Sequence, residues 1–146
     1  MRGRAVATGL AAAAALALTG CSGGHGDLDA ADSPIARYDW DGGDAMAAAL
    51  EGTLELREGC LLVYQSNDPG PPIVAVFPRE HTSWTADAEI LRYGGHNFHM
   101  ADLIMAGGGF GTTVPENAMP AACLPFIDEQ VGVFYIQTES IEPPTL

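Results

Sequence analysis

The sequence predicts an all-β fold, a small antiparallel barrel of five or six strands, on three observations. Beyond Gly52 the apolar residues fall into short runs that alternate with polar ones or are rich in β-branched and aromatic types. Clusters of Gly, Pro, Asn and Asp separate these runs at close spacing. Finally, the same region holds no long stretch with a helical period. An OB-like barrel of five strands fits the count and the length, with a small β-sandwich as the alternative.

The elements are read in order. Thr53-Leu54-Glu55-Leu56-Arg57 alternates as a half-buried strand does, Glu58-Gly59 is a turn, and Cys60-Leu61-Leu62-Val63-Tyr64 is a more apolar strand, so the three make a hairpin. Asn67 to Pro72 (NDPGPP) breaks the chain before Ile73 to Phe77 (IVAVF), a central strand ended by Pro78. After a loop from Arg79 to Asp87, Glu89 to Tyr93 is a fourth strand and Gly94-Gly95 a turn. Asn97 to Met100 adds a few extended residues before a fifth strand, Asp102 to Met105. Gly107 to Gly111 (GGGFG) opens an irregular stretch in which the glycines supply positive φ, and Val131 to Ile136 is the last strand before Pro143-Pro144. Ahead of the strands, Asp44 is expected to cap a short helix over Ala45 to Leu50, because Asp suits the N-cap and alanine favours helix.

The first twenty residues stand apart. Arg2 and Arg4 precede the apolar run Ala5 to Leu18, which is too short to span a bilayer and reads as a secretory signal. Leu18-Thr19-Gly20-Cys21 then resembles the lipobox of bacterial lipoproteins. That resemblance implies cleavage before Cys21, a diacylglyceryl thioether on its thiol and an acylated, typically palmitoylated, amino terminus. It implies a protein anchored in the cell membrane by lipid, on its extracytoplasmic face, since two or three chains hold where one does not. The competing reading is a plain secretory signal that happens to carry a cysteine. Residues 21–44 are then the lipidated cysteine and a flexible acidic tether, poor in apolar residues, and residues 45–146 are the barrel domain.

Charge and cysteine count narrow the classes. The chain has a formal charge of −13 and no lysine. Residues 1–20 hold two of its six arginines and no acid, so the rest balances four arginines against nineteen acids, or −15. Nucleic acid and anionic head groups are both repelled by such a field, which excludes nucleic acid as a partner and leaves the lipid as the membrane link. With Cys21 assigned to the anchor, Cys60 and Cys123 are the only pair left for a disulfide in an exported chain. A Cys/His nucleophile is the competing use of either.

A second resemblance rests on Gly52-x-Leu54, Gly59-Cys60-Leu61, Val76-Phe77-Pro78, Trp84 and Gly107-Gly108-Gly109. Over about residues 50–125 these positions are similar to a set of small exported actinobacterial proteins without assigned function. Turns and core positions carry the likeness, so it implies a shared fold and no catalytic residue. Those proteins often read Gly-Asp where this chain has Ala101-Asp102.

Chemistry-bearing residues concentrate between Glu80 and His99. His81, His96 and His99, with Glu80, Asp87 and Glu89 nearby, are the ligand types a divalent metal such as zinc takes. His96 and His99 are three apart, so a strand points them to opposite faces and only a turn lets them share one ion. Exposed loop histidines are the plainer explanation. Ser83, His81 and Asp87 would be the members of a hydrolase, yet no G-x-S-x-G elbow is present. Trp84, Phe98 and Phe110 sit in or beside loops and either contact a ligand or partner or plug the ends of the barrel. The expectation is a non-catalytic envelope domain that binds an envelope protein, with a metal- or small-ligand-binding lipoprotein as the alternative.

Overall fold

In the computed structural model, residues 33–114 and 119–141 are described. The expected signal segment over residues 1–20, Cys21 and Pro143-Pro144 lie outside them. Nine strands form: β1 (Ala36–Tyr38), β2 (Ala48–Arg57), β3 (Cys60–Gln65), β4 (Ile73–Pro78), β5 (Thr82–Thr85), β6 (Ile90–Tyr93), β7 (His96–Phe98), β8 (Leu103–Gly111) and β9 (Val133–Ile136), among the described residues.

Five of them close a barrel in the order β2-β3-β4-β9-β8 and back to β2. The expected all-β barrel is present, with one difference from a purely antiparallel one. β4 and β9 pair in parallel, Ala75 with Phe134 and Val76 with Tyr135, because the chain between them crosses over through the intervening strands and returns. The expected hairpin is β2–β3, and its turn residues Glu58 and Gly59 both have positive φ, 51° and 84°, as a two-residue hairpin turn requires.

Side chains alternate between two apolar clusters. Leu61, Val63, Ile73, Ala75 and Phe77 point into the barrel with Leu50, Leu54, Ile104, Phe134 and Ile136. Cys60, Leu62, Val74 and Val76 point outward, yet they too are buried, under Cys123, Val133 and the segment around the 3-10 turn Ala121–Phe126. Cover on both faces explains why β3 and β4 read as near-continuous apolar runs. The Cys60–Cys123 disulfide fastens that cover to the barrel across 63 residues of chain.

Strands β5, β6 and β7 form a separate antiparallel sheet inserted between β4 and β8. Its Leu91, Tyr93 and Phe98 are buried in the barrel cluster, and Trp84 packs against it. The insertion therefore plugs the end of the barrel where β4 finishes and β8 begins.

Four local expectations are corrected. Ala48–Leu50 are not helical but open β2, where pairing with Ala106–Gly108 on β8 outweighs the helix preference of alanine. Residues 33–38 do not belong to a tether. Ile35 and Ala36 are buried and β1 pairs in parallel with β4, so the fold starts well before residue 45. The loop expected from Arg79 to Asp87 contains β5. The glycines from 107 to 111 are strand rather than loop, and they are needed for close approach: a Cβ on Gly108 would collide with the carbonyl oxygen of Tyr135, and one on Gly109 would enter Met46. Elsewhere Ala101 has φ of 71°, a conformation that glycine adopts without strain.

Candidate functional site

The parallel register of β1 and β4 sets Tyr38 beside Pro78. Continued by one residue, it brings Asp39 against Arg79, and there the Arg79 Nε donates to Asp39 Oδ1 at 3.0 Å. Around this pair lies a half-open cleft of about 380 Å³ lined by Asp39, Trp40, Arg79 and Glu80. It occupies the seam where the chain leaves the barrel for the inserted sheet.

Two features hold the cleft in shape. Arg79, Glu80 and His81 form a single 3-10 turn, closed by the buried Thr82 hydroxyl donating to the Pro78 carbonyl at 2.5 Å. On the other wall, Trp40 begins a ladder of edge-on rings that runs inward. Trp40 meets His81 at 6.3 Å between centroids, His81 meets Tyr93 at 6.3 Å, and Tyr93 meets Phe77 in the core at 5.8 Å. The Tyr93 hydroxyl, in turn, donates to the Thr138 carbonyl. The indole thus stands on the surface with its support rooted in the barrel.

Asp39 is open to solvent, with 87% of its side chain exposed, whereas that of Arg79 is 30% exposed. Asp41 lies close enough to the Tyr38 hydroxyl to contribute to raising its pKa to about 12, after burial and the neighbouring Tyr135. The wall chemistry is an indole, one ion pair and a further carboxylate. Such groups bind and orient; they suit recognition.

The residues expected at a site are distributed differently. His81 backs Trp40, His96 faces Tyr93 across β6–β7, and the His99 N–H donates to Asp102 Oδ2 at 2.7 Å, with Nδ1 3.6 Å from the same oxygen. Among the described residues no group of three His, Cys, Asp or Glu side chains is arranged to hold a metal ion, so the three histidines do not form the shared site that their clustering along the chain offered. Phe98, only 1% exposed, fills the barrel end. Trp84 is half-buried against the same core. Phe110 sits at the opposite end of the barrel, 42% exposed and edge-on to Phe134 at 5.1 Å. Ser83 pairs with Arg92 in the inserted sheet.

Glu80 belonged to the expected cluster, but Asp39, Trp40 and Arg79 did not. Tyr38 and Trp40, two large aromatics within an Asp- and Gly-rich stretch, were the available signal that this stretch packs. The face of the second and third barrel strands, which OB barrels use for oligonucleotides, is covered here by Ala121–Phe126 and the disulfide. No protein-family model, curated protein or solved structure matches the chain.

Proposed function

We propose that the protein is a lipid-anchored binding module of the cell envelope, held on the extracytoplasmic face of the membrane through Cys21 and presenting the Asp39–Trp40–Arg79–Glu80 cleft to an envelope protein. The lipobox-like Leu18-Thr19-Gly20-Cys21 supports the anchor. The cleft, with its supported indole and open carboxylate, is the observation that carries the binding role. Eleven residues lie between Cys21 and Ser33, so the fold begins within about 40 Å of the lipid even if that segment is fully extended.

The test follows both halves in intact cells. The wild-type chain should incorporate labelled palmitate and sediment with membranes, and Cys21→Ser should do neither. A wild-type chain that is unlabelled and soluble overturns the anchor. Amine- and carboxyl-directed crosslinking should give a discrete adduct on the wild type that Trp40→Leu loses. Adducts identical in the two chains remove the cleft from the account.

A further inference from the structure

We infer that the cleft recognises a cation, a lysine ammonium or arginine guanidinium carried by a basic segment of the partner. This rests on the cleft being the binding surface proposed above, and names its ligand.

Trp40 supplies the first part of the argument. An indole is the strongest aromatic partner for a cation, and its face attracts positive charge most when the ring is fixed and partly desolvated. The ladder from Trp40 through His81 and Tyr93 to Phe77 provides that fixing, so little ordering is left to be done on binding.

The second part is charge. Arg79 is engaged with Asp39, so within the cleft its charge is balanced, and Glu80 stands exposed as the excess. Asp41 and Asp44 follow on the adjoining stretch, both exposed. Beyond the cleft the whole chain is acidic and contains no lysine, so a basic partner is steered toward it while an anionic one is turned away. A neutral glycan would also stack on an indole, but it would draw nothing from this field. Charge complementarity therefore selects the cation.

The chemistry predicts a salt-sensitive interaction with an aromatic requirement, and the two are separable. The full-length protein in detergent, carrying Trp84→Phe so that Trp40 is its one tryptophan, is titrated with octalysine at 20 and at 300 mM salt (about 20 and about 6 Å of screening length). A saturable change in Trp40 emission is expected, weakened at least tenfold at the higher salt. By calorimetry, Trp40→Leu, which leaves the net charge unchanged, should weaken binding about tenfold or more. Glu80→Gln should weaken it severalfold, and Glu55→Gln, an exposed acid on β2 away from the cleft, should not.

Equal affinity in wild type, Trp40→Leu and Glu80→Gln would mean diffuse attraction of a polycation to an acidic surface, and would overturn the assignment. So would saturable binding of a neutral oligosaccharide with none of octalysine. If octalysine fails to bind while Trp40→Leu still abolishes the crosslinked adduct in cells, the cation is wrong and the binding cleft stands. If neither the titration nor the adduct depends on Trp40, both fall.

Discussion

The Tyr38 hydroxyl donates a 2.6 Å hydrogen bond to the carbonyl oxygen of Ile136, joining the first strand to the last across 98 residues. The two Tyr rings of β1 and β9, Tyr38 and Tyr135, meet edge-on at 5.1 Å on the same seam. Because Tyr38 also immediately precedes Asp39 and Trp40, this contact fixes the strand that carries one wall of the cleft.

Burial of that hydroxyl makes stability sensitive to alkali. Burial, then Tyr135, then Asp41 raise the Tyr38 pKa from about 10 in the unfolded chain to about 12. The folded state therefore holds this proton more tightly, and its contribution is complete below pH 10. It is lost as the pH rises from about 10 to about 12. Urea midpoints measured between pH 8 and 12 should be flat and then fall across that window. Tyr38→Phe should lower the midpoint at pH 8 by the equivalent of about 1 kcal/mol and make the alkaline fall shallower. Tyr93 and Tyr135 are shifted upward as well, so some slope will remain. An unchanged slope in Tyr38→Phe would show that the Tyr38 hydroxyl is not buried in solution.

Gly108 tests why the glycine run belongs to a strand. Its missing side chain is what lets the backbone of β9 approach, since a methyl there meets the Tyr135 carbonyl. Gly95, in the turn between β6 and β7, has φ of 87° and open space around its would-be Cβ. Gly95→Ala should therefore be destabilised only by backbone strain, about 1–2 kcal/mol. Gly108→Ala has to move β9 and should lose roughly 3 kcal/mol or more, or fail to fold. Parallel thermal melts decide it, and similar losses at the two sites would refute the close-approach account.

These glycines also show where the sequence stops being legible. The β2–β3 hairpin and β4 could be read because their information is local: alternation in Thr53–Arg57, a turn pair at Glu58-Gly59, a β-branched run from Ile73. Gly107–Gly109 pack against residues far along the chain, and without knowledge of Tyr135 and Met46 three consecutive glycines look like a loop. Ala45–Leu50 misled in the opposite direction, since local propensity favours helix and a partner strand more than fifty residues away imposes extension. The cleft was illegible for the same reason. Its two walls, Asp39-Trp40 and Arg79-Glu80, lie forty positions apart and are brought together by a parallel pairing of three residues. The histidines were visible as a group along the chain, but the inserted sheet carries them to different settings.

The disulfide carries the last prediction, because the outer cover of β3 and β4 depends on it. Cys60 begins β3 and Cys123 lies in the 3-10 turn Ala121–Phe126; both are fully buried. Their bridge closes a loop across 63 residues, for which chain entropy gives a stabilisation on the order of 4 kcal/mol. Cys60→Ala/Cys123→Ala leaves no lone thiol to react and should lower the urea midpoint by that order. Wild-type protein unfolded in reductant should fall to nearly the same midpoint, since both treatments free the same loop. Leu62, Val74 and Val76 lie beneath the cover, so amide exchange should rise in β3 and β4 while β2 stays protected. A drop well under 2 kcal/mol with unchanged exchange would mean that packing of Phe126, Ile127 and Val133 holds the cover without the bridge.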